Sequence, residues 1–257
     1  MQRSEAGDMI WRVIADLLMP RVCLCCGRTL APQEEHICRE CLGDLPLTRY
    51  WKLRENPMAE SFNALIQKHM GENVRYRPYG YACALFFYKG DYKSITKALK
   101  YKRNFKAGRH FAKMLGQTLA QTGLFRDVDM VVPIPLHWTR RWQRGYNQAE
   151  VIAKEVAAEL GVSCEKRMLR RARRTRTQTH LNIEGRAANV AGAFRAKCFP
   201  TQGVASEGQP HHLLLIDDVF TTGATAAACE MAVQFAAEGI CGRPIRVSVA
   251  TLACVEH

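Results

Sequence analysis

The sequence predicts an α/β protein in which a parallel sheet is flanked by helices and preceded by a small metal-binding module. Two observations predict this fold. In residues 81–257, short apolar segments bounded by turn residues alternate with segments of helical periodicity. In residues 20–48, four cysteines stand in two C-x-x-C pairs. Because such a sheet binds ligands at the carboxyl ends of its strands, the loops that follow the strands are the expected functional positions.

The order of the predicted segments defines four regions. We expect an amphipathic helix at 1–19, a cysteine module at 20–48, a connector with a helix at 59–70 within 49–80, and a sheet domain at 81–257. The expected strands of the sheet domain are 81–88, 128–135, 213–216 and 246–253, and its expected helices are 94–101, 107–122, 147–160 and 224–238. The polar segment 201–212 is expected to form a mobile loop.

Composition and charge limit the classes of function. The chain has 257 residues, of which 47% are hydrophobic, and it has no apolar run of the roughly 18 residues that a membrane helix needs. Its start lacks the apolar core and the cleavage site of a secretion signal, so we expect a cytoplasmic protein without a membrane span. The net charge of +13 favours an anionic partner, and charge alone leaves DNA and a polyphosphate ligand open.

The cysteine module carries the pattern of a structural zinc site. Its two pairs, Cys23 with Cys26 and Cys38 with Cys41, are separated by eleven residues, a spacing at which four thiolates can surround one tetrahedral Zn²⁺. A segment this short buries too little apolar surface to fold without the metal. Cys25 lies inside the first pair and could replace one of its members, although the C-x-x-C geometry favours the outer two.

The stretch LLLIDDVFTTGAT, residues 213–225, predicts a buried strand, a short loop and the start of a helix. A helix N-terminus offers free backbone N–H groups, and a glycine lets the backbone approach an anion. The candidate phosphate-binding residues are Thr221, Thr222, Gly223, Ala224 and Thr225. Asp217 and Asp218 stand where a sugar on that phosphate would present its hydroxyls, and carboxylates bind a diol or hold hydrated Mg²⁺. The predicted ligand is a ribose 5-phosphate, and the alternative is an acidic but merely capped turn.

Two further basic segments are candidates for the same site. Residues 133–148 place Arg141 and Arg144 after a predicted strand, where they can bind a pyrophosphate or simply form a solvated turn. Trp138 and Trp142, four residues apart, are expected to be packing residues. Residues 170–176 carry five arginines and predict a mobile loop, which is either solvated or a lid over the ligand.

The stretch of residues 213–225 resembles the phosphoribosyl pyrophosphate (PRPP) signature of type I phosphoribosyltransferases, D-D-x-x-T-T-G-x-T. Together with the two cysteine pairs, RGYNQ at 144–148, and T-x-T-Q-T-x-L with R-x-x-N downstream, the chain from about residue 20 to its end resembles the ComF/GntX family. The resemblance implies a zinc-ribbon-like module on a type I phosphoribosyltransferase domain. It also implies a flexible hood over the pyrophosphate, which the basic loop and Gln178, Leu181, Arg186 and Asn189 would form.

Members of this family are associated with competence, DNA uptake and the use of DNA as a nutrient. The residues and the resemblance together indicate two candidate functions. The first is a phosphoribosyltransferase that uses PRPP and Mg²⁺ and acts in the use or uptake of DNA. The second is a non-catalytic module that senses PRPP and binds or processes single-stranded DNA, with support from interleaved basic and aromatic residues at 97–113 and 138–146. DNA-uptake proteins are possible partners in either case.

Overall fold

The computed structural model describes residues 20–70, 78–101, 103–136, 142, 144–171, 193–197, 211–238 and 245–256. The strands of this part are β1 Ala82–Phe87, β2 Met130–Pro133, β3 Ser163–Cys164, β4 Leu169–Arg171, β5 Phe194–Ala196, β6 His212–Phe220 and β7 Arg246–Cys254. Its α-helices are α1 Arg39–Gly43, α2 Pro57–Met70, α3 Lys93–Tyr101, α4 Phe105–Ala120, α5 Gln148–Leu160 and α6 Ala224–Glu238.

Five of these strands form one parallel sheet in the order β1-β7-β6-β2-β3, and β4 and β5 form a separate antiparallel ribbon. The order differs from the chain order because helices connect neighbouring parallel strands across the faces of the sheet. Strands β6 and β7 are paired on both edges and are buried along almost their whole length, in agreement with their mainly apolar sequences. The predicted α/β fold is confirmed.

The helices cover both faces of the sheet. On one face α4 and α5 pack together, and Phe111, Leu115 and Ile152 are fully buried there. On the other face α2 and α6 pack against the central strands, and Phe62 is fully buried among them. Asparagine caps define two helix starts, because the Asn104 side chain accepts a hydrogen bond from the Ala107 N–H at the start of α4 and Asn147 accepts one from the Ala149 N–H at the start of α5.

Strand β6 is longer than the sequence predicts. The predicted strand ends at residue 216, whereas the observed strand continues through Asp217 and Asp218 to Phe220. Asp217 pairs in register with Thr251 of β7, and Val219 pairs with Ala253. The polar pair interrupts the apolar run, but the backbone ladder with β7 keeps both residues in extended conformation. The acid pair, Asp217 and Asp218, therefore lies in the strand rather than in the loop after it.

The cysteine module, residues 20–48, is joined directly to the sheet. The Phe87 N–H donates to the Pro46 carbonyl at 2.8 Å, and the Thr48 N–H donates to the Leu85 carbonyl at 3.2 Å, so the end of the module adds an antiparallel contact to the edge strand β1. Leu30 and Ile37 of the module are buried in the same core as Phe111. Among the described helices, none has the length and the apolar content to cross a membrane.

Two expectations about individual residues are wrong. The sequence places His212 in a polar loop, but this residue begins β6 and is fully buried; its Nδ1 lies 2.8 Å from the Asp127 Oδ1 and its Nε2 lies 2.7 Å from the Ser248 Oγ. These polar partners compensate for the burial of the imidazole. The spacing of the tryptophans predicts that Trp142 packs, but 86% of it is exposed.

Several predicted segments lie outside the described residues. They are the helix at 1–19, residues 138 and 141, the greater part of the basic loop with the four hood residues, and residues 201–210. The first two arginines of the basic loop are described. Arg170 and Arg171 end strand β4 and are exposed, and the Arg171 guanidinium lies 5.1 Å from the centroid of the Phe194 ring on β5.

Candidate functional site

The cysteine module brings four sulfur atoms together. The Sγ atoms of Cys23, Cys26, Cys38 and Cys41 all lie within 4.8 Å of one another. Two backbone turns hold them there: the Gly27 N–H donates to the Cys23 carbonyl at 3.0 Å, with Gly27 in the left-handed region at φ 73°, and the Leu42 N–H donates to the Cys38 carbonyl at 2.9 Å. The Cys38 N–H also points at the Cys23 sulfur, at 3.4 Å.

This arrangement fits a tetrahedral zinc ion. Zinc–sulfur bonds of about 2.3 Å place the sulfurs of a tetrahedral site roughly 3.8 Å apart. The Cys26 and Cys38 sulfurs are separated by 3.8 Å. The backbone N–H of Cys41 and the nearby Arg28 lower the pKa of Cys38 to about 6, which favours the thiolate that a metal needs. The four thiols can therefore bind one Zn²⁺ in a structural role.

Cys25 lies outside this group of four. Burial and the neighbouring Cys23 raise the pKa of Cys25 to about 12. Burial also raises the pKa of Cys41, a member of the group, so the positions of the sulfur atoms identify the four ligands. The outer cysteines of the first pair are thus the ones that face the second pair.

A second candidate site is a cleft at the carboxyl ends of the central strands. It encloses about 280 Å³, including space open to solvent. Its lining comes from the ends of β2, β6 and β7 and from the start of α6: Ile134, Asp217, Val219, Phe220, Thr221, Gly223, Ala224, Thr225, Ala226, Val249 and Thr251. This is the edge at which parallel α/β sheets bind ligands.

The signature loop, residues 221–225, connects β6 to α6 through a turn that requires glycine. Gly223 has φ 79°, and a Cβ atom there would lie 2.5 Å from Cζ of the Phe220 ring. The first helical hydrogen bond runs from the Ala227 N–H to the Gly223 carbonyl at 2.9 Å. The N–H groups of the preceding residues have no acceptor within the helix, so they are available to an anion.

The hydroxyl groups of the signature loop are accessible. Thr221, Thr222 and Thr225 are exposed, and Ala224 between them is also exposed. The Thr222 Oγ1 accepts a long hydrogen bond of 3.4 Å from the Ala224 N–H, which places this hydroxyl over the start of α6. The loop therefore presents hydroxyl groups and backbone N–H groups from one short segment, a combination that suits a terminal phosphate.

The two members of the acid pair have different surroundings. Asp217 lines the cleft, and its Oδ1 accepts a hydrogen bond of 2.8 Å from the Asp218 N–H. Burial and the charge of Asp218 raise the pKa of Asp217 to about 7. Asp218 instead contacts α3, where its Oδ2 lies 2.8 Å from the Lys100 Nζ. The pleat of β6 explains this difference, because successive side chains of a strand point to opposite faces.

Of the two predicted pyrophosphate residues only Arg144 is described, and it is not among the described residues that line the cleft. The Arg144 guanidinium donates to the Gln148 Oε1 at 3.2 Å and lies 5.3 Å from the centroid of the Tyr101 ring. Arg141 is outside the described residues. Sequence reasoning missed Lys100 and Thr251, because each belongs to an element far along the chain from the signature loop. If the strand is taken to continue past residue 216, the alternation of its side chains places the two carboxylates on opposite faces of the sheet.

Comparison with known proteins identifies homologues, although no protein-family model matches the chain. The chain is 35% identical over 137 residues to the DNA utilization protein YhgH of Salmonella typhimurium, covering 52% of this chain and 56% of that protein. It is 28% identical over 138 residues to competence protein F of Haemophilus influenzae, covering 51% and 56%. It is 25% identical over 213 residues to competence protein ComFC of Bacillus subtilis, covering 81% and 70%.

The aligned region thus spans about half the length of the YhgH and competence protein F relatives. The ComFC match is more distant in sequence but covers most of this chain. These relatives and the four-cysteine cluster agree with the resemblance drawn from the motifs. The chain is thus a homologue of proteins named DNA utilization protein YhgH, competence protein F and competence protein ComFC, which confirms the resemblance.

Proposed function

We propose that the chain binds the ribose 5-phosphate group of PRPP in the cleft and acts as a phosphoribosyltransferase-like protein in the use or uptake of DNA. One observation supports the ligand most strongly. The Gly223 turn brings exposed hydroxyls and the N-terminus of α6 to a cleft that is also lined by Asp217. The names of the relatives, which refer to DNA utilization and competence, support the biological setting.

The phosphate end and the sugar end of the ligand would contact different chemical groups of the cleft. Its 5-phosphate would accept hydrogen bonds from the N–H groups of α6 and from the signature-loop threonines. Its ribose hydroxyls would donate to the acid pair, of which Asp217 lines the cleft. Arg141 and Arg144 would bind the pyrophosphate as forked donors. The proposed compartment is the cytoplasm, where the thiols of the cysteine module stay reduced.

If the protein is an enzyme, its residues act mainly by positioning. In the transfer, the bond from the anomeric carbon to pyrophosphate breaks, a nitrogen nucleophile bonds to that carbon, and pyrophosphate leaves with the electron pair. The signature loop would hold the ribose 5-phosphate still while the arginines stabilise the departing charge. Mg²⁺, when bound with PRPP, would neutralise part of the pyrophosphate charge.

The second candidate function is a non-catalytic module that senses PRPP and binds single-stranded DNA. Its specific support is a basic and aromatic surface beside α3. Tyr101 is 71% exposed and Trp142 is 86% exposed, and the Arg144 guanidinium lies over the Tyr101 ring. Exposed aromatic rings stack on bases, and arginines contact the phosphates between them.

Two measurements on the same preparation separate these functions. PRPP is incubated with Mg²⁺ and a panel of nucleobases and nucleosides, and pyrophosphate release is followed. In parallel, single-stranded DNA is titrated at several salt concentrations. Pyrophosphate release that depends on one acceptor supports the enzyme. Salt-dependent DNA affinity without release supports the second function, and a protein that binds neither PRPP nor ribose 5-phosphate contradicts the proposed ligand.

A further inference from the structure

The acid pair has a counter-ion supplied by the chain itself. The Lys100 Nζ lies 2.8 Å from the Asp218 Oδ2, and the two side chains are only 19% and 12% exposed. Lys100 is held in this position by its helix, because its neighbours Ile95 and Leu99 on α3 are buried in the core of the same face. An ion pair that is removed from solvent in this way is not a surface contact, and loss of one partner leaves the other charge buried.

The same geometry divides the acid pair between two tasks. Asp217 faces the cleft beside Val249 and Thr251. Asp218 faces α3 and has the Lys100 ammonium against one of its oxygens. The Lys100 charge also acts on Asp217, where it opposes the rise in pKa that burial and Asp218 cause. The ammonium therefore contacts Asp218 and acts on Asp217 only through its charge, from the side of the strand that is away from the cleft.

A protein-bound divalent cation would compete with this ammonium. Mg²⁺ binds carboxylate oxygens directly or through its own water molecules, and it is held best where two carboxylates share one cation. In this chain an ammonium already contacts an oxygen of one of the two carboxylates. Placing Mg²⁺ between the carboxylates would bring a second positive charge close to this ammonium, whose side chain is only 19% exposed.

We infer that Lys100 is a positioning residue that takes the place of a protein-held divalent cation at the acid pair. This inference deepens the proposed function and rests on it for the identity of the ligand. Asp218 holds Lys100, and Asp217 alone meets the sugar hydroxyls. The site is thus suited to a sugar phosphate without a resident metal, and any Mg²⁺ arrives with the pyrophosphate of PRPP.

The first test measures a divalent cation without any sugar ligand. Mn²⁺, which also prefers oxygen ligands and is visible by electron paramagnetic resonance, is titrated into the full chain with its zinc retained. We expect no saturable binding below about 1 mM for the wild type. Lys100→Met and Lys100→Gln should each gain a Mn²⁺ site at least roughly tenfold tighter, because a positive charge has left the acid pair.

Controls locate the new site. Asp218→Asn in the Lys100→Met background should abolish the gained Mn²⁺ binding. Lys89→Met breaks an exposed ion pair of 3.6 Å with Glu256 and should behave as the wild type. Circular dichroism checks that each variant is folded. If Lys100→Met does not fold, Lys100→Gln, which keeps a hydrogen-bond donor, is used in its place. Tight Mn²⁺ binding by the wild type at the acid pair, or no gain in a folded Lys100 variant, overturns the inference.

The second test adds the sugar phosphate. Ribose 5-phosphate is titrated by calorimetry with Mg²⁺ and with a chelator. We expect equal affinity in both conditions for the wild type and dependence on Mg²⁺ for Lys100→Gln. Affinity of the wild type that disappears with the chelator contradicts the role of Lys100 but leaves the ligand intact. If the wild type binds no ribose 5-phosphate at all, the proposed function fails, while the Mn²⁺ experiment still decides the role of Lys100.

Discussion

The cysteine module and the signature loop obtain their shape from different forces. In the module, four side chains from two short turns converge on one point, while Leu30 and Ile37 join the module to the core of the sheet domain. In the signature loop, the ligand-facing groups are mostly backbone N–H groups and hydroxyls, and their positions come from a buried strand before them and a buried helix after them. Removal of one side chain should therefore affect the two regions very differently.

The two motifs depend on their residues for different reasons. A set of metal ligands specifies a point in space, so each ligand is needed for the fold of the whole module. A phosphate-binding loop specifies a backbone path, so the residue that permits the path matters more than any one hydroxyl. The following predictions test this distinction, from the largest expected effect to the smallest.

The largest effect is expected from the loss of a zinc ligand. Cys38→Ser removes a thiolate whose sulfur lies 3.8 Å from that of Cys26. Structural zinc contributes an apparent binding free energy of about 10–16 kcal/mol in small modules, so the variant should release its zinc and unfold residues 20–48. Metal analysis and thermal unfolding measure both effects.

Cys25→Ser is the matched control for this experiment. Its thiol lies outside the group of four sulfur atoms, so the variant should keep one zinc per chain. Zinc lost from Cys25→Ser but retained by Cys38→Ser would mean that the four ligands are wrongly assigned. A wild-type protein that contains no zinc would contradict the assignment of a structural zinc site to this module.

The next largest effect is expected at the turn of the signature loop. Gly223→Val imposes a branched side chain on a residue with φ 79° and directs its Cβ into the Phe220 ring. We expect a loss of roughly 2–4 kcal/mol in the free energy of unfolding, together with loss of ribose 5-phosphate binding. Urea denaturation and calorimetry measure the two quantities.

Gly123→Val is the matched control for the turn. A Cβ atom added at Gly123 would meet nothing within 4 Å, its φ is not positive, and it precedes β2 at the opposite edge of the sheet. The variant should change neither quantity by a comparable amount. A Gly223→Val protein that binds ribose 5-phosphate as the wild type does would show that the path of this backbone is not needed for the ligand.

A single hydroxyl of the same loop should have a smaller effect. Thr222→Ala removes an exposed donor and should weaken ribose 5-phosphate and PRPP alike by roughly 1.5–3 kcal/mol, without changing the fold. Thr122→Ala removes a hydroxyl that donates to the Leu119 carbonyl at the end of α4 and should leave both affinities unchanged. Equal losses of ligand affinity in the two variants would contradict a contact between Thr222 and the phosphate.

The smallest effect, at most about 1.4 kcal/mol per pH unit, is a pH dependence centred on Asp217. Its pKa of about 7 exceeds that of an ordinary aspartate, so the folded protein binds more protons than the unfolded chain between about pH 4 and pH 7. Stability should therefore fall as the pH rises through this window. Asp217→Asn should remove that part of the fall, which urea denaturation at a series of pH values can measure.

Ligand affinity should change with the opposite sign. The Asp217 carboxyl group accepts hydrogen bonds from sugar hydroxyls more strongly when it is ionised, so the affinity for ribose 5-phosphate should rise as the pH increases through the Asp217 pKa of about 7. Inorganic phosphate, which shares the phosphate group but lacks the diol, corrects for the titration of the ligand itself. The same pH dependence for both ligands, or its persistence in Asp217→Asn, would exclude a contact between Asp217 and the sugar.

Much of the fold can be predicted because its signals are local. The sequence spacing of Cys23, Cys26, Cys38 and Cys41 is enough to predict that their sulfur atoms lie together. The helix predicted at 224–238 has those bounds in the structure. The starts of other helices differ from the prediction where a cap decides them. Asn104, for example, accepts a hydrogen bond from the Ala107 N–H and starts α4 two residues before the predicted position.

The site is predicted less completely because part of it is not local. The sequence by itself determined which residues form the turn, since only glycine takes the φ of Gly223 at low cost and since a strand followed by a helix exposes N–H groups wherever it occurs. Only the tertiary structure decided that β6 continues through the acid pair, because the backbone ladder with β7 holds it extended. The pleat then turned Asp217 to the cleft and Asp218 to Lys100, a contact between distant parts of the chain that arises when α3 packs on the sheet.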